Sequence, residues 1–104
     1  MKKKIAIIGS GIGGLTAANL LIKNSSFEVM IYEKEKMLSL EEGYGIQLAV
    51  NSISILNQIG FGNINNNHIF NPLKLNFYSN NNKICDLDLG RFNNSTVKYT
   101  TLQR

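Results

Sequence analysis

The first third of the chain alternates between apolar runs and polar breaks, and the order of these runs predicts a strand, a helix and a second strand. Residues 4–8 form a short run that is apolar after Lys4 and stops at a glycine, as expected for a strand buried on both faces. Apolar residues at helical spacing follow over residues 12–23. Residues 27–33 are rich in the β-branched and aromatic types that favour a strand. Together they predict a parallel, right-handed βαβ unit.

The rest of the pattern predicts a second helix and a β-hairpin. After a polar loop over residues 34–42, we expect a helix that Asn51 caps and Gly60 ends. Residues 73–78 and 84–89 alternate between apolar and polar types, and the asparagines between them tolerate positive φ, which predicts a hairpin.

A last extended piece is expected over residues 97–102. The whole order indicates an α/β fold of three layers, with a parallel βαβ start and a β-hairpin excursion. In this arrangement the strands at 4–8 and 27–33 would lie beside the last strand.

Composition and charge narrow the classes of function. Hydrophobic residues make up 43% and charged residues 17% of the 104 positions, which suits one folded domain. The net charge is +4, but the lysines are dispersed except at residues 2–4, so we expect no nucleic-acid partner. That basic triplet and the following apolar run resemble a secretory signal. Glycines and polar residues interrupt the run, and we therefore expect a cytoplasmic protein.

Cysteine and histidine each occur once, as Cys85 and His68. A single cysteine cannot form a disulfide within the chain, and these two residues cannot build a zinc site. We therefore expect no metal. Because Cys85 lies in an alternating apolar stretch, we interpret it as a small core residue.

A glycine-rich turn joins the first predicted strand to the first helix. Gly9, Gly11 and Gly14 satisfy the spacing G-x-G-x-x-G. The first glycine allows a sharp turn, the second lets the backbone approach a pyrophosphate, and the third allows close packing of helix and strand. Backbone N–H groups around Ile12 would then face the phosphates of a dinucleotide.

An acid follows the second predicted strand at the position that a dinucleotide site requires. Glu33 lies nineteen residues after Gly14, and its carboxylate can accept hydrogen bonds from both hydroxyls of the adenosine ribose. The same carboxylate would repel a 2′-phosphate, which disfavours NADP at this site. These residues predict binding of the ADP half of a dinucleotide.

The chain resembles the N-terminal part of the FAD-dependent aromatic hydroxylases, the salicylate-hydroxylase-like monooxygenases. The resemblance rests on residues 9–18, 31–34 and 43–48, and on Arg104 after the last extended piece. It departs from the family at Val50, where proline is common.

This resemblance implies FAD as cofactor, with NAD(P)H as a transient electron donor and O2 used to hydroxylate an aromatic substrate. It also implies that Lys34 lies near the adenine, that Gly45 belongs to the next cofactor block, and that Arg104 reaches the phosphate–ribityl portion of FAD. The later Asp-Gly and Gly-Asp segments of the family, and its substrate-covering sheet, do not occur in these residues. The resemblance therefore implies that residues 1–104 are the N-terminal part of a three-layer, Rossmann-like FAD/NAD(P)-binding domain that is incomplete, a fragment, and we name no catalytic residue. A non-catalytic nucleotide-binding module and another FAD- or NAD-dependent oxidoreductase remain open as alternatives.

Overall fold

The chain folds into two compact units, Met1–Ser39 and Leu40–Arg104. This computed structural model describes residues 1–37 and 43–103, except for the side chain of residue 103. The first unit contains the predicted glycine turn, and the second contains the predicted hairpin.

The first unit is the predicted βαβ arrangement. Strand β1 spans Lys3–Ile8, helix α1 spans Ile12–Leu21 and strand β2 spans Phe27–Tyr32. The two strands pair in parallel with Ile8 opposite Tyr32. The prediction of a parallel start to a Rossmann-like fold is therefore confirmed.

The core of this unit lies on one face of the two-stranded sheet. Ile5 and Ile7 are half-buried, whereas Ala6 and Ile8 are exposed, and 83% of Ile8 is accessible to solvent. Helix α1 packs against both strands and buries Ala18. The expectation that β1 is buried on both faces was therefore wrong for the described residues. Successive side chains of a strand point to opposite faces of the sheet, and α1 covers only one of these faces.

In the second unit, the residues that the structure describes form two antiparallel sheets and one α-helix. Its elements are β3 (Gly45–Leu48), α2 (Val50–Leu56), β4 (Ile69–Phe70), β5 (Lys74–Ser79), β6 (Asn82–Asp88) and β7 (Thr100–Gln103). Strand β7 lies between β3 and β4 in a three-stranded sheet, and β5 and β6 form the hairpin.

Strand β7 does not pair where the sequence analysis placed it. It was expected beside the first two strands, but its hydrogen-bonded partners are β3 and β4, both antiparallel to it. Neither partner strand was predicted, because one has four residues and the other two. Such short strands show no recognisable alternation in the sequence.

The second helix begins slightly earlier than predicted. Ala49, not Asn51, occupies the N-cap position, and the Asn51 side chain instead accepts a hydrogen bond of 2.9 Å from the backbone N–H of Ser52. The helix ends at Leu56 and continues as a short 3₁₀ turn, which Gly60 closes with a φ of 96°. The glycine therefore ends the helical segment as predicted, through its left-handed conformation.

The predicted hairpin is confirmed, together with its asparagine turn. Asn80 and Asn81 have φ angles of 48° and 65° and connect the paired residues Ser79 and Asn82. Two residues with positive φ form the type I′ turn that matches the twist of a hairpin. Cys85, however, is exposed, so the interpretation of this residue as part of the core was wrong. Every residue of β6 is exposed, because alternation alone does not ensure that another layer covers the apolar face.

Candidate functional site

The register of β1 and β2 brings the glycine turn next to the predicted ribose-binding acid. Because the strands are parallel, their carboxyl ends lie at the same edge of the sheet, where Ile8 is opposite Tyr32. The next residue of each strand begins a connection. Gly9 donates its N–H to the carbonyl oxygen of Tyr32 over 2.7 Å, and Glu33 follows Tyr32 directly.

Two glycines of the motif have a visible structural reason. Gly9 has a φ of 99°, which other residues rarely adopt. A Cβ atom on Gly14 would overlap the carbonyl oxygen of Gly9 and would lie 3.3 Å from Cγ2 of Ile7. Gly14 therefore lets α1 approach the end of β1 closely. Gly13 provides a contrast, since a Cβ there would meet nothing within 4 Å.

The start of α1 carries backbone N–H groups without partners inside the helix. Gly11 is the N-cap residue, and its carbonyl accepts the first intrahelical hydrogen bond from the N–H of Leu15 over 2.9 Å. The N–H groups that come before Leu15 in the first turn have no carbonyl of an earlier helical turn to bind. Among the described residues, no side chain caps this end, and the first turn contains no acid. This combination favours an anion at the start of the helix.

The carboxylate of Glu33 accepts three hydrogen bonds, two from Ser10 in the glycine turn and one from its own connection. Its Oε2 atom accepts from the backbone N–H of Ser10 at 2.8 Å and from the Ser10 hydroxyl at 2.7 Å. Its Oε1 atom accepts from the backbone N–H of Glu35 at 3.0 Å. The Glu35 backbone bond and then the two Ser10 bonds lower the pKa of Glu33 from 4.5 to about 2. The side chain is therefore an exposed, fully ionised acceptor at neutral pH.

Ser10 is the residue of this arrangement that the sequence analysis missed. It occupies the first variable position of the glycine motif, where the spacing rule specifies no residue type. A hydroxyl between two glycines was the available signal. Its partner could not be identified without the register of the two strands.

The other predicted cofactor residues are Ile12, Lys34, Gly45 and Arg104. Ile12 begins α1 and is 43% exposed. Lys34 is exposed and lies 3.9 Å from the Glu35 carboxylate. Gly45 begins β3 in the second unit, opposite residue 103. Arg104 lies outside the described residues. The cofactor roles of these four residues stay predictions, as do those of Gly9, Gly11, Gly14 and Glu33.

Comparisons with known proteins agree with this geometry. Residues 7–41 match the family described as the NAD(P)-binding Rossmann-like domain. The N-terminal portion of this chain is Rossmann-like. Its relatives include 3-amino-4-hydroxybenzoate 2-monooxygenase from Streptomyces platensis, which is 42% identical over 59 residues, covering 57% of this chain and 14% of the relative. The 6-hydroxynicotinate 3-monooxygenase of Pseudomonas fluorescens is 40% identical over 57 residues, covering 55% of this chain and 14% of the relative.

The corresponding 6-hydroxynicotinate 3-monooxygenase of Bordetella bronchiseptica is 41% identical over 59 residues, covering 57% of this chain and 15% of the relative. The predicted resemblance to the N-terminal portion of this group of monooxygenases is therefore confirmed. The matched region spans only about 14% of the length of the first of these relatives.

Two further observations concern the described residues as a whole. None of their helices is both long and apolar enough to span a bilayer. Nor do their His, Cys, Asp and Glu side chains form a cluster of three or more that could hold a metal ion.

Proposed function

We propose that the Met1–Ser39 unit binds the ADP half of FAD and serves as the N-terminal segment of a flavin-dependent monooxygenase. The full protein would hydroxylate an aromatic substrate with NAD(P)H and O2, and we expect it to act in the cytoplasm. One observation carries the proposal: an ionised carboxylate, Glu33, is hydrogen-bonded to the glycine turn that opens an uncapped helix.

The pyrophosphate would lie at the start of α1. A glycine N-cap leaves the first backbone N–H groups accessible, since Gly11 has no side chain to cover them. The helix dipole adds a partial positive charge at the same end. An acid in the first turn would compete with a phosphate, and the described helix has none there. These properties fit an anionic ligand and supply its position along the sheet edge.

The adenosine ribose would lie at Glu33. This carboxylate accepts two hydrogen bonds from Ser10 of the glycine turn, and its low pKa keeps it ionised at neutral pH. An ionised acceptor favours a free 2′,3′-diol and repels a 2′-phosphate. The residues present therefore fit the ADP half of FAD or NAD, and they disfavour NADP as the ligand held here.

The choice of FAD and of aromatic hydroxylation is supported by the similarity to monooxygenases. Relatives at 40% to 42% identity are named for hydroxybenzoate and hydroxynicotinate compounds, which are hydroxylated aromatic rings. FAD, when bound, supplies the reaction with O2. The residues of this chain would bind and orient its ADP half, and we propose Lys34, Gly45 and Arg104 as further contacts, on the resemblance alone.

A second candidate is binding of NAD in place of FAD. It is favoured by one observation, the match of residues 7–41 to a family described as NAD(P)-binding. Both dinucleotides share the ADP moiety, so the geometry of Glu33 and α1 serves either. A binding comparison separates them.

Isothermal titration of the purified chain with ADP, FAD and NAD tests the proposal. We expect ADP and FAD to bind, and Glu33→Gln to weaken both about tenfold, because the charge-assisted acceptor is lost. Glu28→Gln is the matched control, since it removes the same charge from an exposed position of β2. Equal affinity in wild type and Glu33→Gln would exclude the ribose role. Binding of NAD but not FAD would favour the second candidate.

A further inference from the structure

The sequence alone suggested that Glu33 accepts both ribose hydroxyls, but in the structure its carboxylate has too few open acceptor positions to do so alone. A carboxylate offers about four lone-pair positions. Three are used by hydrogen bonds from the Ser10 amide, the Ser10 hydroxyl and the Glu35 amide. The backbone N–H of Lys34 adds only the last of the contributions that lower the pKa of Glu33, and it forms no hydrogen bond of comparable geometry. Both bonds from Ser10 fall on Oε2, so the remaining position is on Oε1. A second ribose hydroxyl therefore needs either another acceptor or the loss of an existing bond.

The Ser10 hydroxyl can be that second acceptor. A hydroxyl carries one proton and two lone pairs, and the proton of Ser10 is directed to Glu33 over 2.7 Å. Its lone pairs are therefore available to a ligand, and the charged acceptor polarises the hydroxyl so that its oxygen accepts more strongly. The pair lies at the surface, next to the glycine turn.

We infer that Ser10 and Glu33 together form the ribose site, with the Ser10 oxygen accepting one ribose hydroxyl and Oε1 of Glu33 accepting the other. This inference rests on the proposed nucleotide-binding function. It assigns Ser10 a direct contact with the ligand, in addition to its bonds to Glu33. The ligand class is an adenine nucleotide with a free 2′,3′-diol.

Ser10→Ala and a ligand without the diol test this inference together. We expect Ser10→Ala to weaken ADP binding about threefold to tenfold through the loss of one hydrogen bond, and to leave binding of 2′,3′-dideoxy-ADP unchanged. Ser10→Thr keeps the hydroxyl and should restore ADP affinity. Ser25→Ala, at an exposed serine of the same unit, should bind both ligands like wild type.

A second readout needs no ligand. Carbon NMR of the Glu33 carboxyl should show its pKa rising from about 2 toward 4.5 in Ser10→Ala, because one of its donors is removed. A loss of affinity that is equal for ADP and dideoxy-ADP would overturn the inference, as would an unchanged pKa. If wild type binds ADP and Ser10→Ala binds it equally well, this inference alone fails. If wild type binds neither ADP nor FAD, the proposed function fails and the inference falls with it.

Discussion

Adjacent glycines in α1 should respond in opposite directions to the same substitution. Gly14→Ala places a Cβ against the carbonyl oxygen of Gly9, 3.1 Å from the Gly9 carbonyl carbon and 3.3 Å from Ile7. The obstruction is backbone, which cannot rotate away, so overpacking should cost about 3 kcal/mol. The gain in helix propensity offsets about 1 kcal/mol of this cost. We therefore expect a net destabilisation of about 2 kcal/mol.

Gly13→Ala is the matched control for this effect. A Cβ at Gly13 meets nothing within 4 Å, and its position inside α1 requires no positive φ. This variant should keep the propensity gain and stabilise the helix by about 1 kcal/mol. The two variants should thus differ by about 3 kcal/mol, although they have the same composition.

Residue-resolved hydrogen exchange is the appropriate assay, because the chain contains two compact units. Protection of the α1 and β1 amides reports the local stability of the first unit, and the β5 and β6 amides provide an internal reference. Equal protection in Gly13→Ala and Gly14→Ala would refute the close approach of α1 to β1. It would also remove the structural reason given for the third glycine of the motif.

Three further predictions concern the acid, the hairpin turn and the three-stranded sheet. Hydrogen bonds lower the pKa of Glu33 to about 2, so their contribution to stability should be complete above about pH 4.5 and disappear as the pH falls through 2. The affinity for ADP should stay constant from about pH 5 to 8, because Glu33 remains ionised over that range. Carboxyl NMR and a binding titration at each pH check the two expectations. Asn81→Ala should destabilise the hairpin by about 1 kcal/mol, because Asn81 has a φ of 65° that alanine adopts only at a cost. Asn81→Gly should not destabilise it, since glycine adopts this φ freely. A similar loss of stability in both variants would contradict this prediction. Asn71→Ala should lower the free energy of unfolding, measured with urea, by about 1–3 kcal/mol. The reason is that the Asn71 amide donates hydrogen bonds to the Tyr99 carbonyl and the Thr100 hydroxyl. Unchanged stability would show that these bonds are dispensable.

The glycine turn and its flanking elements could be predicted from the sequence because their signals are local. An apolar run, a glycine spacing and a helical period each depend on neighbouring residues, and so does the position of the acid Glu33. The turn at Asn80 and Asn81 is equally local, since asparagine tolerates the positive φ of a tight hairpin. These features agree with the structure because no distant contact is needed to specify them.

Tertiary structure alone decided which distant residues became neighbours. The pairing of β7 with β3 and β4 joins Gly45 and Ile69 to residues more than thirty positions away. The local pattern of apolar and polar residues does not specify which distant strand becomes the partner. The exposure of Cys85 depends on whether another layer covers the hairpin. The bonds between Ser10 and Glu33 depend on the parallel register of two strands. The sequence by itself determined the βαβ unit with its glycine turn and acid, and the fold decided how that acid is held.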